Sequence, residues 1–454
     1  MALFKAGVRQ TDLSPDKGVD LGGYPYFERA NVGIHDPLYG TCLYLVNDKC
    51  ESVLLMTSDL CYMTKRQCDM VKEQVYAKTG ILKESIIMTF SHSHSAPWMS
   101  AMFRSLPGQP EYESKVDEDY LKVVINKWSD CAKEAFDNLF DASIGFTKTR
   151  CGKAEGIGGN RRDPGNGLSD EDVPVMVIKD KDNVIRAIHT KYALHPTILH
   201  GENKYVSADY PGYIRKHING KYPDAVFMFS QGTSGNQSPR YFRKDQSFSE
   251  AERFGKTIAL SILEIIDNVI YTDSLKILHS TRVLELKIRN YSDIESAKAK
   301  VEYYKKKKEE KIKNNGSYTE IQTADMWLLG AECEYNYSLM YQKGELESYY
   351  KNDIPFTAHG LVLNEHAYTF TQGEMFVEFG LRIKELSPFA NTTVITVSNG
   401  MTPGYCVTKE AYEEGGYEAW NSLLDTKCGD IVVNSLLDML TGMHMRYKEE
   451  RRIG

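Results

Sequence analysis

The stretch IIMTFSHSHSAP, residues 86–97, passes from a short apolar run into polar residues and carries two histidines one position apart. A run of this length, rich in β-branched and aromatic residues, predicts a buried strand. Residues i and i+2 of an extended chain point to the same side, so we expect His92 and His94 to face one way. Such a pair suits a metal site, or one ring binds metal while the other transfers protons; two hydrogen-bonded loop histidines are the alternative.

Short β-rich runs alternate with amphipathic helical segments on both sides of this stretch. The predicted strands of the first 280 residues cover 53–60, 85–92, 142–147, 173–180, 185–195 and 224–231. The predicted helices there cover 65–80, 119–139 and 210–218. A strand pattern resumes after residue 354. This alternation predicts an α/β fold with sheets covered by helices.

The segment 293–346 has a different composition. It holds the charge run KKKKEEKIK, the turn signal NNGS and a second run with apolar residues at helical spacing. This pattern predicts a helical hairpin inserted into a single domain that spans residues 1–454. The lysine run suggests a nucleic-acid or membrane patch, but the glutamates within it favour a solvated helix face.

Composition restricts the class of protein. At 454 residues with 42% hydrophobic residues, the chain is long enough to bury a large core. A formal net charge of −7 gives no bulk attraction to nucleic acid or to anionic lipid. We therefore expect no nucleic-acid partner. We also expect no stable membrane insertion and, as partner, a small-molecule substrate, and the sequence allows an oligomer.

The cysteines and the N-terminus indicate the compartment. The nine cysteines form no C-x-x-C pair and are odd in number, which predicts reduced thiols. The first residues lack the pattern of a signal peptide, and no apolar run approaches ~18 residues. These features predict a cytoplasmic protein.

Further polar concentrations follow other predicted strands. His195 closes an apolar run just before a proline, again at a strand end. The loop in FSQGTSGNQSPR carries Ser238, and its Gly232 and Gly235 are expected to let the backbone approach a ligand and expose N–H groups, as an oxyanion site requires. An ordinary Gly-Ser-Asn turn is the alternative. His35 in GIHDPL is a further candidate.

Several segments, taken in their order along the chain, resemble the motifs of the neutral/alkaline ceramidase family, and the resemblance spans almost the whole chain. The resembling segments are TDLSP, GGYPYFERANVGIHDPLY, FSHSHSAP, GNRR, ALHPTIL, FSQGTSGNQSPR, TQGE and SNGMTPGYCVTKEAYEEGGYEA. The resemblance implies the family's N-terminal catalytic domain, with mixed β-sheets covered by helices. It also leads us to expect that the family's C-terminal β-sandwich is absent.

The resemblance implies a zinc-dependent amidohydrolase that cleaves an amide (N-acyl) bond by attack of a zinc-bound water. Carried over residue by residue, the Zn²⁺ ligands are His92, His195, Glu374 and Tyr405. The catalytic residues that it implies are His94, Ser238, Arg161 and Tyr417. His94 would carry the water's proton, while Arg161 and Tyr417 would stabilise the developing oxyanion. Ser238 would either orient the substrate or attack directly.

Departures from the family pattern bear on the substrate. Asn236 and Arg240 in the loop around Ser238, and Arg162 in GNRR, differ from the family residues. The extra arginines predict a more polar and cationic cleft, and we expect Arg162, Arg240, Asn236 and His35 to bind substrate. The substrate is then an N-acyl lipid or a smaller, more polar compound, anionic or sugar-like.

Two other functions stay open. One is a metal-dependent hydrolase or lyase acting on a polar ester, lactone or carbohydrate. The other is a non-catalytic ligand-binding protein whose helical hairpin docks a partner.

Overall fold

The computed structural model of the chain describes residues 4–24, 28–101 and 103–453. Pro25, Tyr26 and Phe27 of the motif GGYPYFER lie outside the described residues. The helices of the described part are α1 (Lys65–Thr79), α2 (Glu118–Asp137), α3 (Tyr210–Lys221), α4 (Phe248–Leu263), α5 (Ile294–Lys313), α6 (Tyr318–Lys343), α7 (Leu346–Tyr350), α8 (Val377–Leu386), α9 (Lys409–Glu414), α10 (Tyr417–Trp420) and α11 (Cys428–Ile453). Short 3₁₀ turns lie at Lys83–Ser85 and Ile266–Asn268.

The strands belong to two main sheets and several short pairs. Those of the larger sheet are β1 (Phe4–Asp12), β3 (Tyr39–Asn47), β4 (Ser52–Ser58), β5 (Ile86–Phe90), β8 (Phe140–Arg150), β10 (Asp172–Asp180), β11 (Ile185–Tyr192), β13 (Val226–Gln231) and β15 (Tyr271–Thr272). Those of the smaller sheet are β16 (Ile277–Leu284), β17 (Phe356–Leu363), β18 (His366–Thr371) and β20 (Asn391–Ile395). The short pairs are β2 (Gly33–Ile34) with β12 (Tyr205–Val206), β6 (Phe103–Arg104) with β7 (Tyr112–Glu113), β9 (Gly159–Asn160) with β14 (Gln237–Ser238), and β19 (Glu374–Met375) with β21 (Tyr405–Cys406).

Both main sheets combine antiparallel and parallel pairs. The larger sheet has the order β13-β11-β10-β8-β1-β3-β4-β5, with β15 paired to β8. Its pairs are antiparallel except β4–β5 and β11–β13, which are parallel. The smaller sheet has the order β16-β17-β18-β20, with β18 and β20 parallel. The predicted α/β fold with mixed sheets is confirmed.

The two sheets pack face to face and helices cover their outer faces. Leu45 and Leu55 of the larger sheet share one buried cluster with Leu361 and Phe370 of the smaller sheet. Side chains of α1 to α4 pack on the outer face of the larger sheet, and those of α8 and α11 on the smaller one. The order of layers is therefore helix, sheet, sheet, helix. Burial on both faces explains why every residue of β17, FTAHGLVL, is buried.

Helix α1 shows how local sequence sets an element. Thr64 and Gln67 form a capping box at its start, and Gly80 ends it in the left-handed conformation with φ 75°. Between these ends Cys68, Val71 and Val75 recur at helical spacing and are buried against the sheet.

Helices α5 and α6 run antiparallel. Lys308 pairs with Asp325, and Lys311 pairs with Glu320 at 2.8 Å. Helix α6 packs in turn on α10, where a Cβ added at Gly330 would lie 2.8 Å from the Tyr417 Cα. The assignment of this hairpin as an insertion in a single domain stays a prediction.

A crossing segment, Thr396–Asn399, brings several strand ends together. The Thr396 N–H donates to the Gln231 carbonyl at 2.9 Å, and the Asn399 N–H donates to the Met88 carbonyl at 2.9 Å. Val397 adopts φ 49°, a strained conformation for a β-branched residue. The segment thus ties the end of β13 to β5, and its Val397 N–H also reaches the Gly373 carbonyl beyond β18.

Two further features concern the helices and the cysteines. Among the described residues, none of the helices combines the length and the apolar composition that a membrane span requires. The described structure contains no disulfide between the nine cysteines.

Candidate metal centre and active-site cavity

Three side chains from remote segments meet at the ends of strands β5, β11 and β18. His92 follows β5, His195 follows β11, and Glu374 opens β19 just after β18. The Nε2 atoms of His92 and His195 lie 3.3 Å and 2.8 Å from the same Oε2 atom of Glu374. All three side chains are buried. Their ligand atoms lie within 4.8 Å of one another, close enough for a single ion to contact all three.

Backbone carbonyls fix the hydrogens of both rings. The Nδ1 atom of His92 lies 3.0 Å from the Cys61 carbonyl, and that of His195 lies 2.7 Å from the Ser234 carbonyl. A carbonyl only accepts, so each Nδ1 carries the hydrogen. In a neutral ring the Nε2 atom then presents a lone pair, and both lone pairs face a carboxylate. Either a proton on Nε2 or a metal ion satisfies this contact, and metal-binding histidines are oriented in this way.

The HxH pair reaches the site through a turn. Strand β5 ends at Phe90, and His92 adopts φ 68°, which is uncommon outside glycine. The Nε2 atoms of His92 and His94 nevertheless lie 3.3 Å apart, with the rings nearly perpendicular. The expected common side is therefore observed, but a left-handed turn produces it rather than an extended strand.

Tyr405 is placed beside Glu374 by the backbone. The two residues are partners in the parallel pair β19–β21, and the Tyr405 ring lies 6.5 Å from the His195 ring. Burial raises the pKa of Tyr405, the Glu374 carboxylate raises it further, and a hydrogen bond from Arg161 opposes the change. A divalent ion favours the phenolate and would act against this rise.

Charge and burial act differently on the other groups. Burial lowers the pKa of His94, and the neighbouring His92 and His195 lower it further, so the ring is neutral. Burial alone would raise the pKa of Glu374, but the two imidazoles hold it well below its usual range. Burial alone would lower the pKa of His92, but Cys61 and Glu374 raise it well above the ordinary value.

A cavity of about 860 Å³ opens onto these groups. The predicted site residues that line it are His92, His94, Glu374, Tyr405 and Tyr417. Apolar walls are formed by residues that include Trp98, Met99, Met340 and Tyr349. His195 lies behind Glu374, with its Nδ1 turned to the backbone.

Comparison with known proteins agrees with this architecture. No protein-family model matches the chain. Neutral ceramidases of Drosophila pseudoobscura pseudoobscura and Drosophila melanogaster are each 24% identical to it over 281 residues, which cover 55% of this chain and 38% of each relative. The match therefore spans well under half the length of these relatives.

Solved structures match over nearly the whole chain. Neutral ceramidase from Pseudomonas aeruginosa superposes with a TM-score of 0.73 at 14% identity, covering 98% of this chain and 75% of that one. The chain has the neutral ceramidase fold. A ceramidase complexed with C2 gives a TM-score of 0.71 at 13% identity, covering 98% and 76%. The predicted resemblance to the ceramidase family is confirmed.

In this ceramidase-like fold, Glu418 joins two of the predicted site arginines. Its Oε1 lies 2.5 Å from Arg161 Nε, and its Oε2 lies 3.2 Å from Arg162 Nη1. Arg162 also contacts Glu414 at 2.8 Å. Burial alone would raise the pKa of Glu418, but Arg161 and Arg162 lower it. Our reading of the sequence missed Glu418, although it directly follows Tyr417 in the resembling segment.

The predicted residues around Ser238 have internal contacts. The Asn236 side chain accepts from the Val377 N–H at 3.0 Å and donates to Glu378, so it caps the start of α8. The Arg240 N–H donates to Ser238 Oγ at 3.2 Å. None of these residues, nor Arg161 or Arg162, is among the described residues that line the cavity.

The two N–H groups of this loop that were expected to bind an oxyanion are bonded within the protein. The Gly232 N–H donates to the Tyr192 carbonyl and the Gly235 N–H to the Met375 carbonyl, each at 2.9 Å. A Cβ at Gly235 would lie 2.9 Å from the Met375 backbone. The prediction that these N–H groups face a ligand is wrong, because the glycines let two protein segments approach each other.

His35 lies at a different cavity. Its Nδ1 is 3.0 Å from an Asp36 carboxylate oxygen, and its ring stacks on Phe248 at 3.5 Å. The half-exposed ring lines a cavity of about 620 Å³ that shares no described lining residue with the larger one.

Proposed function

We propose that the chain is a metal-dependent amidohydrolase that cleaves an N-acyl bond, with zinc held by His92, His195, Glu374 and Tyr405. The observation that carries the proposal is the convergence of two imidazole Nε2 atoms on one Glu374 oxygen at the cavity. Two nitrogen donors and oxygen donors suit Zn²⁺. The similarity to neutral ceramidases supports the reaction class.

When bound, such an ion supplies Lewis acidity that polarises a carbonyl group and makes water a stronger acid. The chain's own residues would do the rest. His94 lines the cavity and is kept neutral by burial, so its ring is able to accept a proton and pass it to the leaving nitrogen. Tyr417 lines the cavity, and its hydroxyl would donate to the substrate's carbonyl oxygen.

Arg161 is assigned a supporting role. It contacts Glu418 and hydrogen-bonds to Tyr405, and it does not line the cavity. It would therefore hold Tyr405 in place rather than touch the substrate. Ser238 stays a candidate for orienting the substrate.

The cavity favours an N-acyl lipid over an anionic compound. Arg161, Arg162 and Arg240 suggested a cationic cleft, but none is among its described lining residues. Trp98, Met99, Met340 and Tyr349 offer apolar surface for an acyl chain. We therefore propose a ceramide-like amide as the substrate class.

The test is hydrolysis of a ceramide that carries a fluorescent acyl chain. We expect His92→Ala to lower kcat/KM by about 10³-fold or more, since a metal ion contributes several kcal/mol to transition-state stabilisation. His217→Ala, which removes a partly buried histidine that pairs with Glu252 away from the cavity, is the control and should keep full activity. A His92→Ala protein with wild-type turnover would overturn the proposed site.

A further inference from the structure

Helix α6 lines the cavity with Tyr337 and Met340, and Tyr337 also connects to Tyr417 through Asn421. The Tyr337 hydroxyl, on this helix and buried, donates to Asn421 Oδ1 at 2.6 Å. Asn421 Nδ2 in turn donates to the Tyr417 hydroxyl oxygen at 3.1 Å. Tyr417 lines the cavity, and its ring lies 5.9 Å from the ring of Tyr405.

The order of donors and acceptors in this chain matters. An amide side chain has one oxygen that accepts and one NH₂ group that donates. Because Tyr337 occupies the Asn421 oxygen, the NH₂ group is the part that faces Tyr417. The Tyr417 oxygen then accepts this bond, and its own hydrogen is left for a group in the cavity.

The backbone of α6 adds a second, independent contact. Gly330 packs so close to Tyr417 that a Cβ there would lie 2.8 Å from the Tyr417 Cα and 3.2 Å from Trp420. Gly404, next to Tyr405, is even tighter against the Asn421 carbonyl, at 1.9 Å for an added Cβ. The helix, Asn421 and the two site tyrosines are therefore packed as one unit.

We propose that Tyr337 is a positioning residue that, through Asn421, keeps the Tyr417 hydroxyl as a hydrogen-bond donor to the substrate's carbonyl oxygen. This inference rests on the proposed function. It makes the helical hairpin a part of the active site rather than an appendage.

Two variants test the direction of the hydrogen bonds that run from Tyr337 through Asn421 to Tyr417. Asn421→Asp keeps the shape but offers two acceptor oxygens, so Tyr417 would donate to it and lose its hydrogen for the substrate. Tyr337→Phe removes the donor that orients Asn421. We expect each to lower kcat at least about tenfold on the fluorescent ceramide, with KM within about twofold of wild type. Tyr341→Phe, on the exposed side of the same helix, is the matched control and should match wild type.

A double variant separates positioning from loss of fold. In a Tyr417→Phe background, Tyr337→Phe should cause no further loss of kcat, because both changes remove the same interaction. If wild type hydrolyses the ceramide and both single variants keep kcat within about twofold, the positioning role alone is overturned. If Tyr337→Phe does not fold, Asn421→Asp decides the question. A wild-type protein with no activity overturns the proposed function and this inference with it.

Discussion

Two buried clusters of charged groups differ in how their charge is balanced. Asp170 is buried between two lysines, with Lys191 Nζ at 2.5 Å and Lys384 Nζ at 2.8 Å, and Lys384 also reaches Asp172 at 2.7 Å. Two cations thus meet two anions. Glu374 is equally buried, but in the described chain no lysine or arginine lies within ion-pair distance of it.

The difference separates a structural cluster from a binding site. Burial alone would raise the pKa of Asp170, but Lys191 and Lys384 hold it well below its usual range. Asp353, buried with backbone N–H groups as its partners, has its pKa raised to about 7 by burial. A buried carboxylate keeps its charge only beside a cation, and beside Glu374 that cation is either a proton on the imidazoles or a metal ion held by their Nε2 atoms.

The largest expected effect is the loss of stability when the cluster around Asp170 is changed. Asp170→Asn would leave two buried ammonium groups without their shared carboxylate, and we expect a loss of about 3–5 kcal/mol in the free energy of unfolding. Glu374→Gln, in protein stripped of metal by a chelator, should change that free energy by less than about 1 kcal/mol, since an amide N–H satisfies an imidazole lone pair. Urea unfolding of both variants measures this. Equal losses would remove the distinction between the clusters.

Glu418 combines features of the two clusters, because it pairs with two arginines and one of them contacts Tyr405. We expect Glu418→Gln to lower kcat/KM on the ceramide about 10- to 100-fold, the range for residues that orient metal ligands. Glu414→Gln removes an exposed partner of Arg162 and should change it by less than about twofold. Similar effects of the two variants would show that Glu418 does not support the site.

The smallest effect concerns Asp353. Its folded pKa of about 7 lies above the ordinary value of 3.8, so the folded state keeps a proton that the unfolded chain releases. The resulting stability is complete below pH 3.8 and is lost as the pH rises towards 7.

The free energy of unfolding of wild type should therefore fall between pH 5 and pH 8. In Asp353→Asn this fall should be smaller by about 1 kcal/mol or more, measured in urea. Asp130→Asn, at an exposed surface pair, is the control. An unchanged pH dependence in Asp353→Asn would show that this carboxyl is ionised in the folded protein.

Much of the fold was predictable because it depends on local patterns. The runs around α1 and β5 predicted these elements to within a few residues, since burial on one face imposes a period on the sequence and burial on both faces gives an apolar run. The strand pattern indicated His195, and the resemblance supplied its ligand role and Glu374; the structure brings the two residues together although 179 residues separate them.

Charge pairing was not predictable from the chain. Arg162 suggested a cationic cleft, but its partner Glu418 lies 256 residues away, and no local pattern announces such a contact. Asn236 suggested substrate binding, but it caps a helix that begins 141 residues later. The glycines of the same loop correctly indicated a close approach to the backbone. The expectation of a ligand there was wrong, because a second protein segment fills the space.

The central claim is that Glu374, His92 and His195 hold one divalent ion. Zinc content by mass spectrometry, after dialysis against zinc and then against buffer, tests it most directly. We predict about one zinc per wild-type chain, close to none in Glu374→Gln, and the wild-type amount in Asp353→Asn. A wild-type protein that retains no zinc, or a Glu374→Gln protein that retains as much as wild type, would contradict the claim.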